Sequence, residues 1–108
     1  MVNRFAANRG GMAYDPGQID AALAAAVGDE PALIAELRQA FHDIAHRVLA
    51  DLRRAEEEGA WRHAALRLQG LAASFGAVRL MALASEAATA APGDVVVLRK
   101  IVRAVERL

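Results

Sequence analysis

Cysteine is absent from the 108-residue chain, which excludes a disulfide scaffold, a thiolate zinc site and a cysteine nucleophile. Three prolines and 5% aromatics are few breakers and few large rings. Val95-Val96-Val97 is the one β-branched cluster, so strand signals are nearly missing. No apolar run is longer than Ala21 to Val27, far short of the roughly 20 residues that a membrane span needs. Arg4 and Arg9 near the start are followed by no apolar h-region, so no secretory signal is expected and a cytoplasmic location is. Neither charge is in excess, with 13 bases against 13 acids. Nucleic-acid binders are usually basic overall, so no nucleic-acid partner is expected.

What is there points to helices. Alanine supplies 27 of the 108 residues, and it loses no side-chain entropy in a helix. A hydrophobic share of 56% beside 24% charged residues excludes disorder, and the length suits a single domain. The charge is segregated: residues 1–14 carry +2, residues 15–60 carry −6 and residues 61–108 carry +4. A basic second half fits an acidic protein partner.

Residues 1–14 read as a flexible tail broken at Gly10-Gly11, and residues 15–108 as one domain. A short first helix starts at Asp15-Pro16, carries Ile19, Ala22, Leu23 and Ala26, and ends at Gly28. Asp29 is the expected N-cap of a second helix, with Pro31 in its first turn. Leu33, Leu37, Phe41, Ile44, Val48 and Leu52 hold its three-and-four spacing, and Gly59 is expected to close it. Glu56-Glu57-Glu58 would then sit unfavourably near its C-terminus and fray it. A third helix spans about Ala60 to Ser74, with Trp61, Ala64, Ala65, Leu68, Leu71, Ala72 and Phe75 inward. A fourth, about Ala77 to Ala90, turns Leu80, Leu83, Ala84 and Ala87 inward. After the Pro92-Gly93 turn, Asp94 caps a last helix carrying Leu98, Ile101, Val102, Val105 and Leu108. Short connections imply antiparallel neighbours, hence an all-α, antiparallel four-helix bundle with a short extra N-terminal helix.

The third helix exposes a residue that helices usually hide. At about 100° per residue, Trp61, Ala65, Leu68, Ala72 and Phe75 fall within about 60° of one direction. Leu66 lands about 160° away, among Arg62, Gln69, Gly70 and Ala73, with His63 one turn earlier. Single exposed leucines are ordinary. A mid-helix glycine is not, because it costs up to about 1 kcal/mol relative to alanine. Gly70 beside Leu66 therefore marks a face that something approaches closely.

The stretch Ala65-Leu66-Arg67-Leu68-Gln69-Gly70-Leu71-Ala72-Ala73-Ser74-Phe75-Gly76-Ala77-Val78-Arg79-Leu80 resembles the signature of histidine phosphotransfer (HPt) domains. That pattern reads Ala-His-x-Leu-Lys-Gly, two small residues, three more, then Gly-Ala-x-x-Leu. Leu68, Gly70, Ala72, Gly76, Ala77 and Leu80 match it, and the likeness runs from about Asp15 to Leu108. The resemblance implies an HPt-like bundle and, as partner, a response-regulator receiver domain or the receiver of a hybrid kinase. In such domains the histidine takes a phosphoryl group from a receiver aspartate, which needs an exposed imidazole and a nearby cation.

Two departures alter that expectation. The phosphoacceptor histidine falls at Leu66 and the lysine at Gln69. Leucine has no lone pair to offer, so the chain resembles a pseudo-HPt domain: no enzyme, no catalytic residue and no cofactor. The expected partner-binding residues are Leu66, Arg62, His63, Arg67, Gln69, Gly70, Ala73 and Arg79, with no acid between Gly59 and Ser85 to offset the arginines. Two alternatives stay open. His63 could accept the phosphoryl group, although the positions that should carry lysine and glycine relative to it hold Leu66 and Arg67. The face could instead pair with its own copy in a helical dimer or scaffold. A monomer or weak homodimer is expected. His42 and His46, at i and i+4, lack an evident third ligand and are read as a solvated face rather than a metal site.

Overall fold

A computed structural model describes residues 16–28 and 30–108, with side chains from Ile19 onward. Five helices hold most of the described residues, and no strand occurs among them. They are α1 (Pro16–Val27), α2 (Pro31–Arg54), α3 (Glu58–Ser74), α4 (Val78–Ala88) and α5 (Val95–Glu106). None is long and apolar enough to cross a membrane. The expected tail over residues 1–14, the Asp15 start and the Asp29 cap lie outside the described residues. Glu30 takes the N-cap position of α2, and Pro31 follows at the first helical position, where its missing N–H costs nothing.

Helix neighbours close a cycle: α3 packs on α2 and α4, α4 on α5, and α5 back on α2. α1 lies against α2, where Ile19 and Leu23 are buried and Asp20 pairs with Arg38 at 3.4 Å. At about 1.5 Å per residue, the 24 residues of α2 outreach the 17 of α3 by about two turns. That overhang explains why Leu33, expected inward, is 37% exposed. The core holds Phe41, Leu52, Trp61, Leu68, Leu80 and Ile101, all fully buried. No polar or charged residue is buried among the described residues. Phe41 stacks on Phe75 at 4.5 Å between ring centres, tying α2 to the end of α3. Trp61 donates its indole N–H to the Ala87 carbonyl at 2.7 Å, so the largest core side chain also satisfies its one polar group.

Helix boundaries correct the sequence reading in three places. α2 ends at Arg54, not Gly59, and Ala55 leaves it in an extended conformation. Glu57 is the N-cap and Glu58 the first residue of α3, which therefore starts two residues before Ala60. The expected fraying is replaced by a favourable charge arrangement. Arg53 and Arg54 end α2, while the acids precede and open α3, each sign suited to its helix pole. α4 likewise stops at Ala88. Asp94 caps α5 as expected, accepting the Val97 N–H at 3.1 Å. Val97, not assigned inward from the sequence, is buried, while Leu98 and Val102 are half-buried.

The end of α3 is closed by backbone geometry. Gly76 has φ of +71°, a left-handed conformation that a side chain resists. It lets Ala77 donate to the Ala72 carbonyl at 2.9 Å and Gly76 donate to Ala73 at 3.3 Å. This six-to-one and five-to-two pair is a Schellman motif. The Gly-Ala of the HPt-like pattern thus has a local structural role, and Ala77 is buried beneath it.

Candidate functional site

α3 sorts its residues sharply. Trp61, Ala64, Ala65, Leu68 and Ala72 are buried, as the 3.6-residue period requires. Arg62, His63, Leu66, Arg67, Gly70 and Ala73 are exposed, and Gln69 is half-buried. Leu66 keeps 44% of its surface in water. Beside it, a methyl group built on Gly70 would meet nothing within 4 Å. Among the described residues nothing outside its own helix occupies the space above the glycine, so packing among them does not account for it. Ser74 donates to the Gly70 carbonyl at 3.0 Å and satisfies its hydroxyl within the helix.

The arginines do not form the uncompensated basic set that the sequence implies. α2 supplies the missing acid: Asp51 accepts from Arg67 at 3.3 Å and also pairs with Arg54 in its own helix. The sequence between Gly59 and Ser85 holds no such acid, and the pair forms only when α2 and α3 dock. Arg62 stays exposed on α3. Arg79 is exposed too, but in the first turn of α4, about two turns beyond Leu66 along α3.

A shallow groove of about 290 Å³ separates the end of α2 from the start of α3. Asp51, Arg54, His63 and Arg67 line it together with Ala55, Ala60 and Ala64. The outer side of α3 thus has two parts. One is the ionic groove with His63; the other is the exposed run of Leu66, Gly70 and Ala73, outside that groove. Leu66 has no chemistry to offer a phosphoryl group. His63 has a nucleophilic nitrogen and guanidinium neighbours, but the carboxylate of Asp51 already engages both arginines.

Comparison with family models, with curated proteins and with solved structures finds no match to this chain.

Proposed function

We propose that the chain is an HPt-like antiparallel four-helix bundle, preceded by a short helix, that binds a receiver domain through the outer face of α3 without accepting a phosphoryl group. The observation that carries this reading is the exposure of Leu66 beside an unobstructed Gly70. Leu66 stands where the HPt pattern has its histidine, and the glycine that clears the approach is retained. A protein of this kind competes with active transfer domains for a receiver, or holds the receiver in one state, in the cytoplasm where receivers operate. Arg62, exposed on α3, favours the acidic pocket of such a partner, and Arg67 adds to it when it exchanges Asp51 for the partner's carboxylates.

A second reading has its own observation. His63 lies in one groove with Arg54 and Arg67, so a nucleophile and cations meet there. Transfer would form a bond from an imidazole nitrogen to phosphorus as the receiver's aspartyl oxygen leaves.

Purified receiver domains carrying ³²P on their aspartate separate the two. The complex is followed by gel filtration and the label by denaturing electrophoresis. Complex formation with no label on the chain supports the proposal. Label that appears on the chain and disappears in His63→Gln establishes the second reading. No complex with any receiver overturns both.

A further inference from the structure

His42 and His46 face each other across one turn of α2, with their Nε2 atoms 3.2 Å apart. The ring centres lie 4.4 Å apart and the planes are tilted by 59°, so the rings converge at their tips instead of stacking. Two zinc-bound imidazoles at about 2.0–2.1 Å, held at the tetrahedral angle, have nitrogens about 3.3–3.4 Å apart. Two in a right-angled arrangement have nitrogens about 2.9 Å apart. The observed separation falls between these values, and the i, i+4 spacing already places both side chains on one face of the helix.

We propose that His42 and His46 are a bidentate site for a borderline divalent transition-metal ion such as Zn²⁺, with water filling the remaining positions. No third His, Asp or Glu completes a cluster among the described residues. Asp43, between the two, accepts from Gln39 at 3.0 Å. Two protein donors leave open coordination positions, which is the character of an exchangeable site and not of a closed structural one. Without metal, the 3.2 Å contact is one ring's N–H donating to the other ring's lone pair. With metal, both Nε2 lone pairs face the ion and each ring carries its proton on Nδ1. His46 is exposed and His42 half-buried, so an ion reaches the pair directly from solvent.

The test is a Zn²⁺ titration of the full chain, followed by the ring resonances of its three histidines and by calorimetry. His42 and His46 should shift together with one binding constant while His63 stays in place. His42→Gln and His46→Gln should each weaken Zn²⁺ binding about tenfold or more, since each leaves one donor where two acted on a common frame. Zn²⁺ should also raise the melting temperature of the wild type and not that of either variant. Mg²⁺, which prefers oxygen donors, should do neither. Unchanged Zn²⁺ affinity in both variants, a parallel shift of His63, or the same response to Mg²⁺ would each overturn the site.

Discussion

Along the inner side of α3, Trp61, Ala64, Ala65, Leu68 and Ala72 are buried against α2 and α4. Along its outer side, Leu66 is 44% exposed and Gly70 has open space above it. Folding explains the first set completely, because each buried side chain removes apolar surface from water. It explains nothing about the second. A leucine in solvent gains little, and a mid-helix glycine lowers helix stability. The contrast separates residues needed to form the helix from residues that the helix displays.

Substitutions can break or sharpen that contrast. Trp61→Ala should have the largest effect, a loss of about 3–5 kcal/mol of folding stability. It empties a fully buried site and removes the N–H that the Ala87 carbonyl accepts. Urea unfolding measures it, and a loss of under about 1 kcal/mol would show that the inner face is not the main core contact. Leu66→Asp should act on the other side alone. Affinity for the proposed receiver partner should fall more than tenfold, since a buried leucine contact is worth about 1.5–3 kcal/mol. Stability should move by under about 0.5 kcal/mol, as surface substitutions do. Calorimetric binding and thermal melting of the same preparation give both numbers.

Gly76→Ala probes the boundary between the faces and should destabilise by about 1–2 kcal/mol, because φ of +71° strains any L side chain. A stabilised Gly76→Ala variant would mean that the Schellman turn does not hold the end of α3. Asp51→Asn should have the smallest effect. It weakens exposed pairs to Arg54 and Arg67, and such pairs contribute about 0–1 kcal/mol. Its use is in binding: freeing Arg67 should speed association with an acidic partner at low salt, and stopped-flow mixing at two ionic strengths reads that change.

Periodicity made much of this legible in the sequence. The inward residues of α3 and α4, the exposed Leu66 and the Asp94 cap follow from spacing and local capping chemistry. Features set by tertiary contact did not. Gly59 looked like a stop signal, yet the three glutamates suit the N-terminal pole of α3 better than the C-terminal end of α2. Leu33 kept the apolar period of α2 but lies on the part of that helix that outreaches α3. Asp51 is far from the arginines of α3 in sequence and meets Arg67 only across the helix interface. His42 and His46 had metal-ligand spacing, but spacing alone does not say whether the ring tips converge.

The most direct test of a displayed face on α3 is Gly70→Leu, with folding stability and receiver affinity measured side by side. Leucine has the higher helix propensity, and no described residue outside its own helix crowds its first carbon. Stability should therefore hold or rise by up to about 1 kcal/mol, while affinity for the receiver falls more than tenfold because the side chain fills the approach. Retained stability together with undiminished receiver affinity would contradict the assignment of this face as the docking surface.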